Sequence, residues 1–510
     1  MERVAVRRSA VRKLRLLLAL ALLVTALPRA LPAATYVITT LAEDTTNNGN
    51  CTLREALLAA STDSTNDQCI GDVGADTIVL DAVGTYSLVT GTVLSATRTL
   101  TIRGDGDHPA SDYVVELGNA QRLLHVLGNS TLILENFSLR HGFSSATGGA
   151  LFAEDSDLTL RGMEIRLSAA VDGAGVGFLS HGGKTLDVED SVFENNATTG
   201  SQAAGAGLDV NLQSGGTVRI VGSRFLGNSI VTASGSFART GAGLSITSFA
   251  PAAVEIRHVD FSGNTINAPS FASGAGAYLS LGNQTGGNVL LEDLDFRNNS
   301  FGTFAGSNSD VALHLSADDG TISARRVTML ANLGGTTRAQ GSISLTGTGQ
   351  ATVSDMVVGN GNGWGLFLIT SGTATLLAGN LTVAGQADDG LVLAENGGTL
   401  RVENSIVFGN ATSSGSNVHL FSGTPDVSAE NLIGVDPQFV SPGNGDFRLG
   451  PTSVAADAGN QTFLSVGPFD AAHGERILGV QLDLGALERG AIFSDDFEKN
   501  ELFAWSSTTP

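Results

Sequence analysis

Lysine is almost missing from this chain: among 510 residues only Lys13, Lys184 and Lys499 carry an ammonium side chain. Acidic residues outnumber basic ones by 50 to 28, and such a surface repels phosphate backbones, which argues against nucleic acid as a partner. Cysteine occurs only twice, too seldom for a thiolate metal cluster or a disulfide-laced framework. There is no GxSxG nucleophile turn and no Cys–His pair with a free thiol, so two common hydrolase designs are missing. Beyond Leu27, Gly, Ser, Asp or Asn interrupts every apolar run, and none is long enough to cross a membrane as a helix.

The beginning of the chain reads as an export signal. Arg3, Arg7, Arg8, Arg12, Lys13 and Arg15 form a basic start, Leu16 to Leu27 is an apolar run, and Pro32-Ala33-Ala34 offers small residues for cleavage. The competing reading is an uncleaved anchor; Arg7-Arg8 lacks the pattern that twin-arginine export would add. Loss of residues 1–33 leaves 21 basic against 49 acidic residues, a net charge of −28. In an oxidising compartment Cys51 and Cys69, 18 residues apart, are expected to pair, and closing such a loop is worth about 3 kcal/mol in the chain-entropy model.

What the sequence has in abundance is repetition. An apolar residue is followed three positions later by Asn at Phe193/Asn196, Phe225/Asn228, Phe261/Asn264, Phe296/Asn299, Met329/Asn332, Val357/Asn360 and Val407/Asn410. The Asn-to-Asn steps are 32, 36, 35, 33, 28 and 50 residues. A landmark that survives while its spacing wavers marks stacked coils with variable loops. Gly205-Ala206-Gly207, Gly241-Ala242-Gly243 and Gly274-Ala275-Gly276 recur between them, and strands, not helices, follow, so they read as tight turns and not phosphate cradles. Short alternating runs such as Leu132 to Leu134, Leu186 to Val188 and Val254 to Ile256 suit a parallel β-helix. About a dozen coils at about 4.8 Å each predict a rod near 60 Å long. The landmark asparagines are expected to turn corners and form amide ladders; the alternative is glycan attachment at Asn196-Ala197-Thr198.

One convincing helix stands ahead of the coils. Thr52 with Glu55 forms a capping box, and Leu53, Ala56, Leu57 and Ala60 fall on one face. Such a helix is placed to cover the open end of the β array, which would otherwise expose core side chains and strand edges.

Two ends of the chain carry a family resemblance. CTLREALLAA at 51–60, with Cys69 and GADTIVL at 74–80, resembles the N-terminal module called the CSLREA domain, with Thr52 in place of the usual Ser. LIGVDPQFV, GPTSVAADAGN and RILGVQLDLGALER, between 432 and 489, resemble the C-terminal part of secreted right-handed parallel β-helix proteins of the choice-of-anchor Q group. The resemblance implies a secreted or surface-located bacterial protein, all-β, built as a right-handed parallel β-helix with a short N-terminal capping helix. It implies little chemistry. The expected organisation is a signal at 1–33, a disulfide-tied cap at 35–75, coils at 76–420, further coils and a cap at 421–490, and an acidic-aromatic tail at 491–510.

Parallel β-helices that cleave polysaccharide need clustered carboxylates for calcium and an Arg or Lys base, or Asp residues on neighbouring coils acting as acid and base. Candidates are Asp318-Asp319, four residues after His314, and Asp388-Asp389. Each pair precedes Gly, which is also ordinary turn chemistry, and the Asn-x-Asp and Gly-His-Gly signatures of polygalacturonase-like enzymes are missing. Arg161, Arg166, Arg219, Arg224 and Arg257 could form a basic stripe, with outward-facing solvation the simpler account. Asp105 and Asp107 in Gly104–His108 leave calcium open, against a corner turn. The remaining histidines, His125, His141, His181, His258, His419 and His473, are scattered without metal-ligand spacing. The resulting expectation is a monomeric, non-catalytic surface β-helix that binds a polysaccharide or cell-surface glycan or acts as a spacer, needing no cofactor; the alternative is a polysaccharide lyase or hydrolase using Asp318 and Asp319.

Overall fold

The computed structural model describes residues 33–72, 74–88, 92–94, 98–119, 121–200, 203–232, 239–268, 271–302, 310–334, 338–410, 417–428, 430–462 and 467–490. Residues 1–32 of the expected signal and the tail at 491–510 lie outside this set.

The chain is a right-handed parallel β-helix. One coil shows the plan: Thr185–Glu189, Val192–Glu194, Ala197–Thr198 and Leu208–Leu212 are four successive strands, and the next coil begins with Gly216–Val221. Among the described residues the first two strands of the coils belong to a 24-stranded sheet and the fourth to a 12-stranded sheet, while the third strand is present in five coils and forms a 5-stranded sheet. Strands pair in parallel with their equivalents one coil on, as Leu186 with Val218 and Leu208 with Leu244.

In-register stacking follows from the alternating pattern, because a one-residue slip would turn every buried aliphatic side chain to water. Leu132, Leu158, Leu186, Val218, Val254 and Val289 form one continuous inward column, and each is buried. Phe193, Phe225, Phe261 and Phe296 form another, with ring centroids 4.7, 5.1 and 4.6 Å apart and nearly parallel planes. Burial of each such side chain contributes about 1.5–3 kcal/mol.

The landmark asparagines run beside the rings. Asn196 donates from Nδ2 to Asn228 Oδ1 at 3.0 Å, and the same bond repeats from Asn228 to Asn264, Asn264 to Asn299 and Asn299 to Asn332, each 3.0 Å. All five asparagines are buried, which places Asn196 out of reach of a glycan in the folded chain. The sharp corner is made by the residue before each: Asn195, Gly227, Gly263, Asn298 and Ala331 have φ of 55°, 61°, 67°, 55° and 55°.

Asn360, expected in the ladder, stands instead at that corner, with φ 56°, and donates outward to the Pro442 carbonyl at 3.0 Å. Gly361 occupies the ladder position. Its missing side chain leaves room for Gln340, whose Oε1 receives Asn332 Nδ2 and whose Nε2 donates to Gln386 Oε1, both at 3.0 Å. A Cβ on Gly361 would come within 2.6 Å of Gln386 Oε1 and 2.8 Å of Gln340 Cδ. Asn410 rejoins the pattern, accepting the Gln386 N–H at Oδ1.

At the N-terminal end Thr35–Ile38 pairs in parallel with Asp76–Leu80 as the first rung. Between them the helix Leu53–Thr62 has the predicted capping box, with Thr52 N–H donating to Glu55 Oε2 and Glu55 N–H to Thr52 Oγ1. Leu53, Ala56, Leu57, Ala59 and Ala60 join the core of the first coils, and a Cys51–Cys69 disulfide with Cα atoms 5.1 Å apart ties the segment down. No helix among the described residues is long and apolar enough to cross a membrane.

The C-terminal segment runs back along the flank made by the second strands. Phe447 packs with Val357, Ala384 and Ala486, and buried Arg476 donates to the Gly485 carbonyl at 2.8 Å and lies 3.1 Å from Glu488 and 3.4 Å from Asp355.

Candidate functional site

The proposed arginine stripe lies on the outer face of the first and second strands, but it is a zipper of alternating sign. Arg161 meets Glu135 at 3.0 Å, Asp187 at 3.6 Å and Glu189 at 3.5 Å. Arg219 meets Asp187 at 2.8 Å, Arg257 meets Glu255 at 2.9 Å, Arg166 meets Glu194 at 2.8 Å, and Arg224 lies 3.8 Å from Asp260. A guanidinium serves as a base only where its cation is disfavoured. Asp187 does the opposite, raising the pKa of Arg219 further.

The aspartate pairs sit at opposite ends of fourth strands on different coils. Asp318 ends the strand Asp310–Asp318 and Asp319 follows it at the turn toward the next coil, whereas Asp388 and Asp389 precede Leu391–Asn396. Asp319 is left-handed, φ 62°, and its oxygens receive the Thr348 N–H at 2.7 Å, Thr348 Oγ1 at 2.8 Å and Thr285 Oγ1 at 3.2 Å. These bonds, the Thr348 N–H first, hold its carboxyl below the ordinary range, and Asp318 accepts from Thr346. Asp388 and Asp389 are buried. Asp105 accepts from Tyr113 and, at 2.8 Å, from the Asp107 N–H, so it closes its own turn.

A different surface brings chemically able residues together. The outer side of the 12-stranded sheet carries, in one register column, His125, Phe152, Gly177, Asp209, Ser245, Tyr278, His314, Ser342, Phe367, Val392 and His419. At three places along it a histidine is held by a carboxylate and lies against an aromatic ring. His125 Nε2 is 3.2 Å from Glu154 and its ring 4.7 Å from Phe152. His314 Nδ1 is 2.7 Å from Asp310 and its ring stacks on Tyr278 at 4.8 Å and 9°. His419 Nδ1 is 2.7 Å from Asp389, with Phe421 at 6.0 Å and Trp364 at 6.3 Å. Phe367 closes this last group, 5.9 Å from Trp364 and 5.8 Å from Phe421.

Asp310, His314 and Ser342 have the residue types of a nucleophilic triad but not its geometry. Ser342 Oγ bonds Asp310 and stands 3.2 Å from His314 Nδ1, the nitrogen Asp310 already holds. A triad needs carboxylate and hydroxyl on opposite ring nitrogens. Here both fix one nitrogen and orient the ring. Burial lowers the pKa of His125.

Between the first two groups Asp209 is half-buried beside Asp172. Burial, followed by the Asp172 charge, pushes its carboxyl up to about 7, and burial raises Asp172 as well. Neither was visible in the sequence as a pair, since 37 residues and a variable loop separate them. The one available signal was that the histidines fall about one to a coil.

No protein-family model matches the chain, and no curated protein does. Among solved structures the chain is similar to pectate lyase Pel9A, with 15% sequence identity and a TM-score of 0.35 over 90% of this chain and 96% of that one.

Proposed function

We propose that this protein is an exported β-helix that acts outside the cell and binds a polysaccharide or cell-surface glycan along the outer side of its 12-stranded sheet. The observation that carries the reading is the threefold recurrence of ring, imidazole and carboxylate on one straight column. An aromatic face gives a sugar ring a flat apolar platform, and fixed polar groups beside it receive the hydroxyls. In sheet order, six and four rungs separate the three histidines, about 29 and 19 Å, so the arrangement suits an extended chain gripped at several points. Asp209, Asp310, Asp389 and Glu154 lie on this face and the mature chain is strongly acidic, which favours a neutral glycan over a polyanionic one.

Export is supported by the disulfide and by the basic-then-apolar residues at 1–33. The CSLREA-like cap at 35–75, the choice-of-anchor Q-like end at 421–490 and a monomeric state belong to the same proposal. The lyase or hydrolase alternative through Asp318 and Asp319 draws less support, because hydrogen bonds from neighbouring coils engage both carboxylates.

The test is titration with soluble neutral polysaccharides and with polygalacturonate, following Trp364 fluorescence. Tyr278→Ala and Phe367→Ala should each weaken neutral glycan binding about tenfold, some 1.4 kcal/mol, while Asp318→Ala leaves it unchanged. Absence of binding across a broad neutral panel would remove the reading.

A further inference from the structure

His314 and His419 are each held by one ring nitrogen only. His314 Nδ1 lies 2.7 Å from Asp310 Oδ2, and His419 Nδ1 lies 2.7 Å from Asp389 Oδ2. Both carboxylate side chains are 3% exposed, whereas the imidazoles keep 19% and 34% of their surface open. A carboxylate has no hydrogen to give, so the hydrogen of each bond sits on Nδ1. In a neutral imidazole that leaves Nε2 a bare acceptor.

The two clamps are built by different routes. Asp310 begins the same strand as His314, and the register of that strand shifts between Asp310 and Leu313. Asp389 instead comes from the coil before His419, just ahead of the strand Leu391–Asn396, whose Val392 is the in-register neighbour of His419. Both routes end on the same nitrogen. Ser342 Oγ, bonded to the same Asp310 oxygen, stands 3.2 Å from His314 Nδ1 and leaves Nε2 alone. Tyr278, stacked on His314 at 9°, fixes the plane in which that lone pair points. Among the described residues nothing donates to Nε2 of either ring, and neither atom is a buried orphan, so each opens to the outer face. His125 is held the other way round, through Nε2 by Glu154, and takes no part.

We infer that Nε2 of His314 and Nε2 of His419 are two fixed acceptors, each taking the hydrogen of a free hydroxyl on the glycan, with Asp310 and Asp389 as positioning residues. This rests on the glycan reading above and narrows its ligand to an extended neutral chain with unsubstituted hydroxyls. Four rungs separate the two nitrogens, about 19 Å, so a single sugar satisfies only one of them. A chain whose hydroxyls carry methyl groups has no hydrogen to offer and leaves both acceptors unpaired against it.

The experiment compares the affinity of the full chain for the tightest-binding neutral polysaccharide of the panel with its affinity for the same polymer after O-methylation. Methylation should weaken wild-type binding at least about a hundredfold. In the doubly substituted chain, His314→Phe with His419→Phe, rings remain at both places and that penalty should shrink at least about tenfold. Nitrogen-15 spectra of the free protein at about pH 8, where imidazole is ordinarily neutral, should show the hydrogen of both rings on Nδ1. Asp310→Asn, whose amide can donate to Nδ1, should move the His314 hydrogen toward Nε2 and weaken binding. The wild-type spectra stand even if a variant does not fold. Hydrogen on Nε2 in the wild type, or an undiminished methylation penalty in the doubly substituted chain, would overturn the two acceptors; the glycan face would still stand if Tyr278→Ala weakens binding. Failure of the wild type to bind any neutral polysaccharide would overturn both.

Discussion

Asn228 delivers two hydrogen bonds to one atom of Asn264: its side-chain amide and its main-chain N–H both reach Asn264 Oδ1 at 3.0 Å. Asn264 in turn donates to the Phe225 carbonyl at 2.8 Å and to Asn299 Oδ1 at 3.0 Å. Substituting Asn264→Ala strands two buried donors and deprives two acceptors. The expected loss is about 3 kcal/mol, read by chemical denaturation, with the transition broadening as the two halves of the rod uncouple. A sharp transition at unchanged midpoint would show that the ladder contributes nothing.

Ala331 stands in the corner column between Asn298 and Asn360, at φ 55°. Its Cβ crowds the following carbonyl in this conformation. Ala331→Gly removes that conflict and should raise stability by about 0.5–1 kcal/mol even after the entropy glycine adds to the unfolded chain. Thermal melting compares the two directly.

The Cys51–Cys69 bond closes the segment that carries the capping helix. Cys51→Ser should cost about 3 kcal/mol in the chain-entropy model. Because each coil leans chiefly on its neighbours, the damage should concentrate at the first rungs: hydrogen exchange should quicken at Thr35–Ile38 and Asp76–Leu80 and stay level at Thr375–Gly379.

Asp209 gives the fold itself a pH dependence. Its folded pKa lies above its ordinary value, reaching about 7, so the folded state binds the proton more tightly than the unfolded one. The stability this confers is complete below the ordinary carboxylate range and is lost as pH rises to about 7. Melting temperature should therefore decline between about pH 4 and about pH 7, and Asp209→Asn should flatten that part of the curve.

Architecture was legible because stacking repeats its requirements in the sequence. Every buried ring of the Phe193 column and every amide of the Asn196 column marks its own coil, so seven landmarks outweighed loops of unequal length. Asn360 misled because the corner residue and the ladder residue are adjacent and both accept Asn. Only Gly361, and a glutamine 21 residues earlier at Gln340, show which is which. The candidate face was harder to read. His314 and Ser342 are neighbours because rungs are in register, and Asp209 lies against Gly173, the residue after Asp172, because a turn folds back. Neither relation leaves a fixed spacing in the chain. Asp318-Asp319 drew notice by adjacency, yet consecutive residues at a strand end diverge, and the carboxylates that gather on this surface come from separate coils.

The identity of successive layers has one more outcome. A cut after Asn228 rejoined after Asn264 would bring together faces already built to fit, since Phe225 and Phe261 present the same ring and Asn228 and Asn264 the same amide to what lies above. Length is thus a trait that can change by whole layers without a new interface being invented, and the molecule behaves as a ruler whose graduations are interchangeable.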